Sequence, residues 1–149
     1  MKTILTPVDF SAVTESVIAA AATLAKSQGA RVALLNVSQP PIITSEYAPY
    51  LENISEIAAV SEKASAKQLS RLATKLQEAG VPTDTVQLSG TPVIEILKQA
   101  DALQADYIVL GSHGHTAFYD LLVGSTTHGV LLRARCPVLI VPATKRPKA

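Results

Sequence analysis

Tyr107-Ile108-Val109-Leu110-Gly111-Ser112-His113-Gly114, followed nine residues later by Gly124-Ser125, is the stretch from which the fold is read. Tyr107 to Leu110 is an apolar run stopped by glycine, the pattern of a short buried strand. Ser125 to about Ala134 then reads as a helix. A buried strand, a glycine-bearing loop and a helix start form a cradle for phosphate. Glycine lets a loop backbone approach an anion and aim its N–H groups at it. The helix start adds unpaired amides and about half a positive charge from the aligned peptide dipoles. Ser125 and Thr126 contribute hydroxyl donors at that first turn.

Outward from this stretch, five short apolar strands alternate with four helical patterns, without an internal repeat. The first strand is read over Thr3 to Val8. Ser11 is positioned to cap the helix that follows, in which Val13, Val17, Ala21, Leu24 and Ala25 recur at helical spacing. Gly29 ends that helix, and Arg31 to Val37 reads as a second, fully buried strand. Ser38 to Tyr50, with Pro40, Pro41 and Pro49, reads as a long loop and a flap beside a site. A long helix from about Leu51 places Ile54, Ile57, Ala58, Leu69, Leu72, Leu76 and Ala79 on one face, and Gly80-Val81-Pro82 stops it. Strand three, Thr83 to Leu88, alternates polar and apolar residues, as an edge strand does. Thr91-Pro92 starts a helix whose apolar stripe is Val93, Ile96, Leu97, Ala100 and Leu103. The last strand is Val138 to Val141 between two prolines.

Strands and helices in alternation predict an α/β fold: a five-stranded, mainly parallel sheet with helices on both faces, of the Rossmann-like kind. Ligands in such sheets bind beyond the carboxyl ends of the strands, where the strand order reverses. The two suggestive ends are Pro7-Val8-Asp9 and Gly111 onward. Making those strands neighbours gives the order 3-2-1-4-5.

The 149 residues suffice for one domain with a full core, so residues 1–149 are read as a single domain with a frayed basic tail over 143–149. Hydrophobic residues make up 48% and charged ones 17%, which excludes a disordered chain. Aromatics are only 4%, so Ile, Val, Leu and Ala must fill the core. With 13 basic and 12 acidic residues, the net charge of +1 leaves no electrostatic footprint for nucleic acid. The apolar run Val17 to Ala25 is too short for a bilayer, and Met1-Lys2-Thr3 runs straight into a strand, so neither a membrane span nor a leader is expected. The lone Cys136, set before Pro137 and an apolar strand, is read as structural and as consistent with a reducing cytoplasm.

Rival readings of the glycines fail on residues. Pro7-Val8-Asp9-Phe10-Ser11 has no glycine, so the first turn does not carry a dinucleotide fingerprint. No Gly-Lys-Ser/Thr occurs, which removes a P-loop. An RNA-binding Gly-x-x-Gly loop lacks this strand-then-helix setting and comes with a basic chain. The remaining alternative is that Gly111, Gly114 and Gly124 only shape a long connection.

Gly111-x2-Gly114-x9-Gly124-Ser125 resembles the ATP-binding signature of the universal stress protein family. The resemblance spans essentially the whole chain, from Ile4-Leu5-Thr6-Pro7-Val8-Asp9 to Cys136-Pro137-Val138-Leu139-Ile140-Val141-Pro142. It implies that Pro7, Val8 and Asp9 line the adenosine, with Asp9 near the adenine or ribose hydroxyls. The lesser alternative for Asp9 is a helix-capping carboxylate, and one side chain could do both jobs. Val37 is implied to meet the adenine edge through its backbone. Gly111, Ser112, His113, Gly114 and His115 are implied to wrap the ribose and α-phosphate, and Gly124, Ser125 and Thr126 to hold the β- and γ-phosphates. The implied ligand is ATP, with AMP or ADP as alternatives, accompanied by the Mg²⁺ that ATP brings.

One position departs from the family pattern: where arginine is frequent after the second glycine, this chain has His115. A histidine is mostly neutral at pH 7 unless phosphates raise its pKa, which predicts weaker or pH-dependent phosphate affinity. His113 stays between ligand contact and loop packing, and His128, a turn beyond, is read as a surface residue. Asp120 and the three histidines have no spacing that reads as a metal site.

None of His113, His115, Asp120 and Ser125 forms a recognisable acid–base or nucleophile pair, so efficient turnover is not expected. A phosphorylation receiver is excluded as well, because Asp9 has no acidic neighbour and strand three ends in Ser89-Gly90. The reading is an ATP-binding regulatory protein of the stress-response type, acting through a protein partner. The alternative is an interaction module with an idle nucleotide loop. An unprotected apolar edge at Val138-Leu139-Ile140-Val141 predicts a homodimer through the last strand.

Overall fold

The computed structural model describes residues 1–40, 51–112 and 123–143. Its elements are β1 (Lys2–Pro7), α1 (Thr14–Gln28), β2 (Ala30–Ser38), α2 (Leu51–Glu78), β3 (Thr83–Ser89), α3 (Pro92–Ala102), β4 (Tyr107–Gly111), α4 (Ser125–Arg133) and β5 (Val138–Val141). The five strands form one sheet in the order β3-β2-β1-β4-β5, as the sequence predicts. All four pairings are parallel, with Thr6 opposite Leu34 and Ile4 opposite Tyr107.

Alternation along β1 and β2 divides the interior into two layers. Ile4, Val32 and Leu34 pack with Val17, Ile18 and Ala21 of α1 and Leu69, Leu72 and Leu76 of α2. Leu5, Ala33 and Leu35 face the other way, against Ile96 of α3 and Val130 of α4. Both faces are thus covered, which is why the central strands read as continuous apolar runs.

Helix boundaries follow local chemistry with two departures from expectation. Gly29 closes α1 in the left-handed conformation, φ 60°, its N–H donating to the Ala25 carbonyl. Ser11 is not the side-chain cap: α1 begins at Thr14, Val13 occupies the cap position, and no side-chain hydrogen bond is made there. The Thr14 N–H donates instead to the Ser11 carbonyl at 3.0 Å, so a backbone turn precedes the helix. Thr91 does cap α3 with extended backbone and Pro92 behind it, again without a side-chain bond. The second departure is on α2. Leu69, Leu72 and Leu76 are buried, but Ile57 is 68% exposed, because the apolar stripe meets the sheet only along the C-terminal half of the helix. The Ile54 side chain and the loop expected within 41–50 lie outside the described residues.

β3 and β5 are the sheet edges. No helix among the described residues is long and apolar enough to cross a membrane.

Candidate nucleotide site

The chain leaves β1 toward α1 and β2 on one side of the sheet, and leaves β4 toward α4 and β5 on the other. That divergence opens a crevice beyond the ends of two neighbouring strands. It contains a cavity of about 760 Å³, within the roughly 300–1,000 Å³ typical of small-ligand pockets. Its floor is formed by Pro7, Val8, Asn36, Val37, Leu110 and Gly111. Val13, Thr14 and Gln68 wall it on the α1–α2 side, and Pro92, Gly124, Ser125 and Thr126 on the α3–α4 side.

At the β1 end the chain turns sharply. The Val8 N–H still follows the sheet, donating to the Leu35 carbonyl at 2.8 Å. Phe10 then adopts φ 61°, a left-handed conformation that side chains other than glycine rarely take and that typically costs about 1–2 kcal/mol. Its partly buried ring packs against the core. Asp9 is solvent-exposed, and its Oδ1 accepts the Ser11 N–H at 3.0 Å. It therefore holds the turn that precedes α1 and lines the cavity, but it is not the cap of α1, whose cap position is Val13 without a side-chain bond.

At the β4 end, hydrogen bonds fix the start of α4. The Ser112 carbonyl accepts the Gly124 N–H at 2.6 Å. The buried Thr127 hydroxyl donates to the Gly111 carbonyl at 2.7 Å. Gly124 is the cap residue with extended backbone, and the His128 N–H donates to its carbonyl at 2.9 Å, closing the first turn. The next amides, those of Ser125, Thr126 and Thr127, belong to the turn that has no intrahelical acceptors. They lie at the positive end of the helix dipole, beside the cavity.

The crevice thus gathers Pro7, Val8, Asp9, Val37, Gly111, Gly124, Ser125 and Thr126. Ser112 sits differently. It is buried, its N–H donates to the Val141 carbonyl at 2.8 Å, and its Oγ accepts the Ala143 N–H at 3.1 Å, tying β4 to the exit of β5. His113, Gly114, His115 and Asp120 lie outside the described residues. His128 is exposed, as read.

Sequence reasoning passed over Asn36 and Thr14. Both are buried, both line the cavity, and each leaves a side-chain oxygen without a hydrogen-bond partner: Asn36 Oδ1 and Thr14 Oγ1. The available signal was Asn36 itself, an amide inside the otherwise apolar run Val32 to Val37.

A second cleft of about 500 Å³ lies at the opposite end of the sheet, lined by residues including Asp101, Arg133, Arg135 and Cys136. Burial, and then the carboxylates of Asp106 and Asp101, push the Cys136 thiol above its ordinary pKa. A thiol so placed is a weak nucleophile near neutral pH, in keeping with a structural role.

The parallel sheet, its order and the crevice at the β1–β4 divergence define the chain as a Rossmann-like α/β protein with a cleft at the switch point. The family model described as the universal stress protein family matches residues 1–142. This chain belongs to the universal stress protein family. It is 33% identical over 143 residues to universal stress protein YxiE of Bacillus subtilis, covering 92% of this chain and 96% of that one. Among solved structures it is similar to MJ0577 of Methanocaldococcus jannaschii, with a TM-score of 0.81 at 27% identity, over 99% of this chain and 98% of that one. Two fold neighbours at 22% identity were solved with nucleotides. One is a universal stress protein in complex with cAMP, with a TM-score of 0.67 over 96% of this chain and 98% of that one. The other is the Archaeoglobus fulgidus protein in complex with dAMP, with a TM-score of 0.64 over 94% and 97%.

Proposed function

We propose that this protein binds an adenine nucleotide, ATP in the first instance, in the crevice beyond β1 and β4, and that the bound nucleotide biases an interaction with a regulatory protein partner in the cytoplasm. The observation that carries the reading is the cavity itself. It runs from an apolar lobe at the buried Val8 and half-buried Val37 to the first turn of α4, whose leading amides have no acceptor within the helix. One end suits a flat purine and the other an anion. The cAMP and dAMP complexes of fold neighbours support the same ligand class.

Pro7, Val8 and Val37 would hold the base, Asp9 the ribose hydroxyls, and Gly124, Ser125 and Thr126 the terminal phosphates. Gly111, Gly114, His113 and His115 would follow the ribose and α-phosphate. Ser112 would contribute through the backbone it anchors. Among the described residues no cluster of three or more His, Cys, Asp or Glu side chains could hold a metal, so Mg²⁺ would arrive on the triphosphate.

A binding role rather than turnover is supported by the lining. Among its described residues Asp9 is the one ionisable side chain, and its Oδ1 already accepts a backbone N–H. A homodimer through β5 is supported by the edge position of that strand, with Leu139 42% exposed and Leu132 of the neighbouring α4 70% exposed.

Amide NMR titration tests the placement. AMP is expected to move the signals of Val8, Asp9 and Val37, and ATP to move those of Ser125, Thr126 and Thr127 as well. Shifts clustered at Arg133, Arg135 and Cys136 would relocate the site to the opposite cleft.

A further inference from the structure

α2 turns one stripe of side chains toward the rest of the molecule, and the character of that stripe changes along the helix. Leu76, Leu72 and Leu69 are buried against the sheet. One turn nearer the helix start the same stripe holds Ser65 and Gln68, and these two line the cavity. Farther still toward the start, Ile57 and Val60 are each 68% exposed. Polar residues thus stand where α2 overlooks the cavity and apolar ones where it meets water, the reverse of what solvent contact alone favours. A polar pair at that level answers to something in the cavity. The Gln68 side chain is exposed and therefore accessible, and among the described residues it has no hydrogen-bond partner. Gln77 of the same helix differs, its Nε2 donating to the Thr83 carbonyl at 3.0 Å.

We propose that Gln68 is a specificity-determining residue that reads the base: its Oε1 accepts from the 6-amino group of adenine and its Nε2 donates to N7. The proposal rests on the adenine-nucleotide reading above. Phosphates held at the first turn of α4 lie on the β4 side of the crevice, so the base lies toward Val8 and Val37, where Ser65 and Gln68 form the α2 wall. Val13 and Val17 of α1 supply apolar surface for a ring there. With one edge of the base turned to the backbone of Val37, the edge left for α2 is that of N7, and the 6-amino group has a hydrogen for each. A carboxamide sets an acceptor beside a donor and so matches this edge, the pairing by which glutamine reads adenine in the DNA major groove. Guanine presents two acceptors on the same edge, O6 and N7, so either orientation of the amide sets acceptor against acceptor.

The affinities of ATP and of 7-deaza-ATP, in which C–H replaces N7, each as its magnesium complex, test the proposal in the wild type and in Gln68→Met. Methionine keeps the length of the side chain and removes the amide, and at an exposed helix position it leaves the fold in place. The wild type is expected to bind ATP about three- to tenfold tighter than 7-deaza-ATP, the range of one net hydrogen bond. In Gln68→Met that ratio should fall toward one. AMP should lose as much affinity as ATP in the variant, because the amide touches the base and not the phosphates. Equal affinities for the two triphosphates in the wild type, an undiminished ratio in the variant, or a loss confined to ATP would each overturn the role of Gln68 while leaving nucleotide binding intact. A wild-type protein that binds neither triphosphate would overturn the nucleotide reading itself.

Discussion

The Gly124 N–H donates to the Ser112 carbonyl at 2.6 Å, drawing the end of β4 and the cap of α4 to within one hydrogen bond of each other. However the residues between them run, both ends of that connection are fixed to the sheet. The bond also uses the cap amide, so an anion at this helix start must be held by the amides and hydroxyls that follow, at Ser125 and Thr126. On the proposed reading the amide and hydroxyl donors to phosphate are then those of Ser125 and Thr126, and Gly124 contributes the close approach that a residue without a side chain allows.

Ser125→Glu places a carboxylate at that turn. A negative charge at a helix start stabilises the helix by about 0.3–1 kcal/mol, so the fold should hold or gain slightly. The same charge would occupy and repel the phosphate position. ATP affinity is expected to fall at least about tenfold, some 1.4 kcal/mol, while adenosine affinity stays within about twofold. Equal losses for both ligands, measured by calorimetry, would place the triphosphate elsewhere.

Thr127→Val removes the 2.7 Å bond to the Gly111 carbonyl with almost no change in shape. Taking this donor from a part-buried carbonyl should cost about 1 kcal/mol in denaturant unfolding. Because the bond also sets where α4 begins relative to β4, ATP affinity should drop in parallel. Unchanged stability together with unchanged affinity would show that the bond does not position the helix.

Gly129 of α4 faces Val93 of α3. A Cβ there would stand 2.9 Å from Val93 Cγ2, a distance at which something must move. Gly129→Ala gains about 1 kcal/mol in helix propensity, set against roughly 1–3 kcal/mol of overpacking. A net loss is expected, relieved when Val93→Ala is added. A double-mutant cycle reads the coupling, and additive effects would mean that the two helices do not meet as described.

Sequence pattern made most of this architecture legible, because strand length and apolar continuity have a direct physical cause in a sheet covered on both faces. Tyr107 to Leu110 and Val138 to Val141 could be read almost to the residue for that reason. Ser11 misled because a good capping residue competes with the backbone. The turn held by Asp9 and Phe10 consumes two more residues before α1 begins, and nothing in local propensity announces a left-handed phenylalanine. Ile57 misled because periodicity locates an apolar stripe without saying how far the sheet beneath it extends. Asn36 stayed hidden because its value depends on the Val8 carbonyl, 28 residues away in sequence.

Leu139→Lys tests the proposed dimer. Leu139 lies on the β5 edge and is 42% exposed, so a charge there should leave the monomer folded and oppose strand-to-strand pairing. Light scattering should report half the wild-type mass. A variant that remains dimeric would exclude this edge as the interface.

Cys136 supplies a pH test. With its pKa raised, the thiol stays protonated at pH values where a free cysteine has begun to ionise. Alkylation at pH 7–8 should therefore be slower than for a cysteine-containing peptide, and the rate should reach half its maximum at a higher pH. A rate matching the peptide across the range would contradict the environment described for this thiol.

Titration calorimetry with Mg-ATP, on protein stripped of any co-purified nucleotide, tests the central claim most directly. The account predicts saturable binding near one nucleotide per chain at micromolar concentration, about −8 kcal/mol. A folded protein that gives no heat, and from which ATP displaces no fluorescent adenine nucleotide, would contradict it, leaving the crevice a structural feature of a protein that works through its partners alone.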